Sequence, residues 1–153
     1  MENISTLSPD TTKIRREHVE SLNFCSRIRT GLSNDVEPNR IRQYTDWFKE
    51  NHLEPHFQLE EKLIFPVLGQ NARVKRALAN HRRINRLLNC GCENEKVLNL
   101  LEEELESYIR FEEKTLYREI DKIAHAKEIE EFEKHHEYLH SLNEEWKDKF
   151  WLD

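Results

Sequence analysis

Apolar side chains recur along most of this chain at intervals of three and four residues, the period of an α-helix. Residues 1 to 10 read as a lead-in, with Ser8-Pro9-Asp10 as a helix start signal. A first helix is expected from Thr11 to Thr30, its stripe running Ile14, His18, Leu22, Cys25, Ile28, Leu32, with Gly31 as the stop. A second begins at Glu37-Pro38 and continues to Phe65-Pro66, carrying Ile41, Tyr44, Phe48, His52, His56, Glu60, Leu63 and Val67 along one face. Pro55 lies inside it and has no N–H for the Asn51 carbonyl, so a kink is expected just before His56. A third helix spans Ala72 to Asn89, with Val74, Leu78, His81, Ile84, Asn85 and Leu88 inward. The fourth starts at Glu93-Asn94 and reaches Ile123, with Leu98, Leu101, Leu105, Tyr108, Glu112, Leu116 and Ile120 as its stripe. A fifth, more polar segment runs from Ala126 to Trp146, and the C-terminal helix is assigned to 126–150. The connections are short. The expectation is an all-α fold, an up-down-up-down four-helix bundle over residues 14–123 with an additional C-terminal helix, in one domain from residue 11 to 153.

Composition agrees. With 3 glycines and 4 prolines in 153 residues and 35% charged side chains, long helices are favoured over a many-stranded sheet. A net charge of −6 argues against a general nucleic-acid binder. No apolar run is long enough for a membrane span, and Met1 to Asp10 lacks the pattern of a signal peptide. Cytoplasmic residence is the default expectation. Cys25 falls on an apolar helix face as a small core residue, and Cys90-Gly-Cys92 reads as a loop at a helix end, Cys-x-Cys alone being a weak metal signal.

The polar residues inside the stripes change the picture. His18, His56, Glu60, His81, Tyr108 and Glu112 lie on the inner faces of four different helices. His56/Glu60 and Tyr108/Glu112 are each four apart, so both members can reach one point from one face. A lone inward histidine is most often a hydrogen-bonded core residue. Inward glutamates are rare unless something pairs with them. Imidazoles with carboxylates suit iron, manganese or zinc, and carboxylates can bridge two ions in the core of a bundle. His52, one turn before His56, is a further candidate whose direction Pro55 makes uncertain. His135, His136 and His140 suggest a surface metal patch or, more simply, a solvated face. Trp146, Phe150 and Trp151 are expected to dock the tail on the bundle, or to form a partner surface.

The run His56-Phe-Gln-Leu-Glu60-Glu61-Lys-Leu-Ile-Phe65-Pro66 resembles the second-helix signature of the hemerythrin-like, or HHE cation-binding, domain family. Ile109-Arg-Phe-Glu112-Glu113 resembles its fourth-helix signature, and Glu17-His18 and His81-Arg82 occupy its first- and third-helix ligand places. The resemblance spans residues 14 to 123. It implies two iron ions, oxo- or hydroxo-bridged, that meet dioxygen, nitric oxide or peroxide. By position, His18 and His56 would serve one iron, His81 the other, and Glu60 and Glu112 would bridge them. Two places depart from the family pattern. Tyr108 stands where the fourth-helix motif normally begins with histidine, and Asn85 stands where many members carry a second histidine on helix three. If Tyr108 is a ligand, its anionic oxygen favours ferric iron, giving a visible colour and making peroxide handling or redox sensing more attractive than reversible dioxygen carriage. The alternative is an ordinary buried phenol with a hydrogen-bonded hydroxyl. The chain shows no internal repeat and no low-complexity tract. The function expected is a di-iron protein that binds or reacts with a small oxidant, the alternative a metal-dependent sensor without turnover.

Overall fold

A computed structural model of the chain describes residues 12–69, 71–90, 94–123 and 146–153, with side chains given for all of these except 12–15 and 121–123. Among the described residues the fold is all-α: four helices and no strand. Helix α1 is Thr12–Ser33, α2 covers residues 38–68, α3 is Ala72–Asn89 and α4 covers residues 95–123. Helix α4 packs along α1 and α3, and α2 closes on α1. The stripes meet in one core that includes Phe24 and Ile28 of α1, Ile41 and Phe48 of α2, Ile84 and Leu88 of α3, and Leu101 and Leu105 of α4. Cys25 is in that core, as expected, and burial pushes its thiol up.

The helix ends follow local chemistry. Asn71 caps α3 by accepting from the Val74 amide at 2.9 Å, and Asn94 caps α4 by accepting from the Lys96 amide at 2.7 Å. Pro38 opens α2. The end of α1 differs from expectation: Gly31 does not stop it. The helix runs on to Ser33, and Asp35 takes the left-handed conformation at φ 57°, with Val36 N–H donating to the Gly31 carbonyl and Asp35 N–H to that of Leu32. Gly31 instead lies inside α1 against the C-terminal tail. A Cβ there would stand 2.7 Å from Phe150 Cε1.

The tail therefore docks on α1 and α2, as the aromatic cluster suggested. Phe150 is fully buried, and Trp146, Phe150 and Trp151 all pack on Tyr44. Trp146 also packs on Trp47, and the Arg27 guanidinium lies 4.3 Å from the Trp151 ring centre. Arg40 grips Asp148 through two nitrogens and Asp153 through a third. Residues 146–149 are not helical, and the element that follows is a single 3₁₀ turn, Phe150–Leu152. The rest of the expected fifth helix, with His135, His136 and His140, lies outside the described residues, as do Cys92 and residues 1–11.

Helices α2 and α4 are not regular. Three turns are widened to the i→i+5 pattern: Glu54 N–H donates to Lys49, Phe65 N–H to Glu60, and Tyr117 N–H to Glu112. The first accounts for Pro55. The wide turn ends at Glu54, so the proline enters the next α-helical segment at its start, where no N–H is needed. Where a kink was expected, the helix absorbs the proline by this change of winding. The other two wide turns begin at Glu60 and Glu112.

Candidate metal centre

Each of those wide turns brings two polar residues inward in place of one. Glu60 is fully buried and Glu112 is 1% exposed, whereas their neighbours Glu61 and Glu113 reach sideways to a histidine on another helix. Glu113 Oε2 lies 2.6 Å from His18 Nδ1, and Glu61 Oε2 lies 2.6 Å from His81 Nδ1. A carboxylate can only accept there, so each Nδ1 carries the proton and each Nε2 presents its lone pair inward.

All six predicted residues are buried, and they fall into two adjoining groups. His18, His56, Glu60 and Glu112 form one, their ligand atoms all within 4.8 Å of one another. His18 Nε2 is 3.4 Å from Glu112 Oε1, and His56 Nε2 is 3.4 Å from Glu60 Oε2. His81 and Tyr108 stand on the other side of Glu60: His81 Nε2 is 3.2 Å from Glu60 Oε1 and 2.6 Å from the Tyr108 hydroxyl. The two oxygens of Glu60 thus face the two groups. Phe57 stacks flat on the His81 ring at 3.9 Å between centres, fixing it from behind.

The electrostatics suit a cation. Burial and the Glu60 carboxylate push the Glu112 carboxyl well above the usual range. Burial acts upward on Glu60 too, but His56, Glu112 and His81 hold it well below that range. Burial and the same two carboxylates push the phenols of Tyr108 and Tyr117 well above their ordinary value, so both are neutral donors here. His81 is drawn down by burial but raised on balance by its hydrogen bonds to Glu60 and Glu61. His18 Nε2 and Glu112 Oε2 are buried and have no hydrogen-bond partner among the described residues. Two orphaned acceptors facing one space, among imidazoles and carboxylates, fit a divalent or trivalent first-row metal ion.

His52 does not join this centre. Its Nδ1 lies 3.9 Å from Glu17 Oε1 and 3.8 Å from Glu20 Oε2, and its ring stacks on Phe48. Three other residues at the centre had no role assigned from the sequence: Glu61 and Glu113, which stand in the two motifs, and Tyr117, which was not singled out. A signal for them existed. Glu60-Glu61-Lys62-Leu63-Ile64-Phe65 and Glu112-Glu113-Lys114-Thr115-Leu116-Tyr117 share glutamates, lysine and a closing aromatic in one register, a short internal correspondence where no repeat was expected.

The hemerythrin HHE cation-binding domain model matches residues 10–90. The chain belongs to that family, a class of cation-binding helical proteins. The match takes in α1, α2 and α3, with His18, His56, Glu60 and His81, and stops before α4; Tyr108 and Glu112 join the site through the fold. No curated protein and no solved structure matches the chain.

Proposed function

We propose that this chain is a non-haem di-iron protein that binds or reacts with a small oxidant, dioxygen or peroxide, with nitric oxide as a further small ligand. The observation that carries the reading is the placement of Glu60, one oxygen toward His56 and the other toward His81 and Tyr108. A carboxylate so placed can join two ions, with Glu112 as the second bridge, His18 and His56 on one ion, and His81 and Tyr108 on the other. The helices are read as an up-down-up-down bundle on the strength of the short connections at residues 34–37, 69–71 and 90–94.

Iron bound there would supply Lewis acidity and electrons to a small oxidant. The protein supplies the rest. Glu113 and Glu61 hold the imidazoles in the tautomer that turns Nε2 inward. Glu60 and Glu112 would bind a cation through their carboxylate oxygens. Tyr108 holds a proton on its hydroxyl, hydrogen-bonded to His81, and must release it to become an anionic ligand. The buried aromatics Phe57, Phe65 and Tyr117 keep water from the centre.

A second reading, a metal-dependent sensor without turnover, has one observation in its favour. Trp47 touches the tail at Trp146 and touches His52, one helical turn from His56. A shift of α2 on metal binding would reach the docked tail by that route.

Metal analysis and a visible spectrum of protein purified from iron-replete cells test the proposal. Two equivalents of iron and a visible band are expected, and a Tyr108→Phe variant should lose the band. Colourless protein without metal sinks the proposal; a variant that keeps both iron and colour removes Tyr108 from the ligand set. Steady peroxide consumption favours an enzyme, whereas binding without turnover favours the sensor.

A further inference from the structure

We propose that Tyr117 is a positioning residue of the metal centre: its hydroxyl holds Glu60 in the orientation that spans both ion positions. Three observations carry this, and the inference rests on the metal-centre reading above.

The first is the hydrogen bond itself. The Tyr117 hydroxyl donates to Glu60 Oε2 at 2.9 Å, and both residues are fully buried. Tyr117 binds Oε2 on the His56 side, while Oε1 faces His81 Nε2 and the Tyr108 hydroxyl at 3.2 and 3.5 Å on the other. The χ3 torsion of a glutamate is broad and soft. A close donor on Oε2 restrains it with the two oxygens turned to opposite sides.

The second is what the other half of the site lacks. Phe65 closes the α2 motif as Tyr117 closes that of α4, and each ring lies against a ligand histidine. Tyr117 is edge-on to His18 at 5.1 Å, and Phe65 is tilted on His81 at 5.5 Å. The two rings do the same packing work, so a phenyl would suffice for shape. Of these two rings only that of α4 carries a hydroxyl, and it is turned to Glu60 Oε2, whereas Glu112 Oε2 has no hydrogen bond among the described residues. The hydroxyl is therefore specific to the fixing of Glu60.

The third is the wide turn that begins at Glu112. Its i→i+5 bond ends on the Tyr117 amide, so the turn delivers Tyr117 to the centre together with Glu112. An α-helical turn would place residue 117 about 100° further round the axis relative to Glu112 than a wide turn does.

Cobalt(II) titration of metal-free protein tests the role, because the visible bands of bound Co(II) report its coordination. The comparison is wild type against Tyr117→Phe, with melting temperature as the control for folding. Loss of an outer hydrogen bond to a ligand typically lowers metal affinity about 10- to 100-fold. That loss is expected for at least one equivalent, with a changed band shape and a melting temperature of the metal-free variant close to wild type. Wild-type protein that takes up no Co(II) overturns the metal-centre reading and this role with it. Wild-type uptake matched by the variant in affinity, stoichiometry and band shape overturns the role of Tyr117 alone. If the variant does not fold, wild-type protein with ¹³C-labelled tyrosine rings decides by NMR. A slowly exchanging Tyr117 hydroxyl proton that shifts when Zn(II) binds supports the role, and one indifferent to Zn(II) overturns it.

Discussion

Glu113 stands behind His18, its Oε2 2.6 Å from the imidazole Nδ1, and 38% of its side chain remains open to solvent. Its contact with the ring is the one that bears on the ligand. Removing it should therefore spare the fold and loosen the ligand. A Glu113→Ala variant is expected to melt within a degree or two of wild type when metal-free, yet bind Co(II) about 10- to 100-fold more weakly. Glu61→Ala should do the same through His81, the two effects falling on different equivalents of metal. Competition titration against a coloured chelator measures both. Unchanged affinities would mean that the imidazoles are oriented by packing alone.

Gly31 and Phe150 make the second prediction. Alanine is the better helix former by about 1 kcal/mol, so Gly31→Ala in an exposed helix would stabilise. Here the added methyl would stand 2.7 Å from Phe150 Cε1 and 3.1 Å from Ile41 Cδ1. Overpacking of this kind costs about 1–3 kcal/mol, so the clash should win and the tail should lift. Lower melting temperature and red-shifted tryptophan fluorescence, as Trp146 and Trp151 become wetter, are the expected readouts. A more stable variant with unshifted fluorescence would show that the tail does not hold this seat.

Much of this architecture was legible in the chain. The inward stripes mark four helices within a few residues of their ends, because an amphipathic period survives even where local geometry changes. The inward residues His18, His56, Glu60, His81, Tyr108 and Glu112 stand out for the same reason: buried ionisable groups break an otherwise apolar stripe. What stayed hidden depends on geometry that periodicity averages away. A single wide turn shifts the register of everything after it, which is how Tyr117 reaches Glu60, and no residue type announces such a turn. Glu61 and Glu113 stand in the glutamate-pair motifs, but their reach to a histidine on another helix is not legible, because adjacent helical residues do not share a face. Gly31 read as a stop because its value lies in a contact with residue 150, far away in sequence.

The grip of Arg40 on the tail should depend on pH. Its guanidinium holds the Asp148 carboxyl below the usual aspartate value. A carboxyl lowered in the folded state binds its proton more readily when released, so this ion pair adds stability above the ordinary aspartate pKa. That contribution fades as pH falls through the lowered value. The pair is partly exposed, with Asp148 at 40% and Arg40 at 38%, so salt will also weaken it. Tail fluorescence should accordingly red-shift on acidification below about pH 4, whereas Asp148→Asn, which lacks the pair at every pH, should be red-shifted already at neutral pH and change less on acidification. Identical acid profiles for the two proteins would remove the pair from the docking of the tail.

Asn85 offers the most direct way to repair the unusual side of the site. It lies on α3 one turn beyond His81, half-buried, and its Oδ1 is buried with no hydrogen-bond partner among the described residues. An acceptor left so has already lost its water without gaining a partner, at a cost of about 1–3 kcal/mol. Replacing it with histidine removes that unpaired acceptor and adds an imidazole on the side where His81 and Tyr108 stand. In the family that this chain belongs to, many members carry a histidine in this place. The second equivalent of Co(II) or Fe(II) should bind more tightly in Asn85→His than in wild type, by tenfold or more, about 1.4 kcal/mol. The first equivalent, which the proposed function assigns to His18 and His56, should be unaffected. Calorimetric titration separates the two steps. A variant in which only the first step changes would place residue 85 outside the reach of the second ion and make the His81 side dependent on Tyr108 alone.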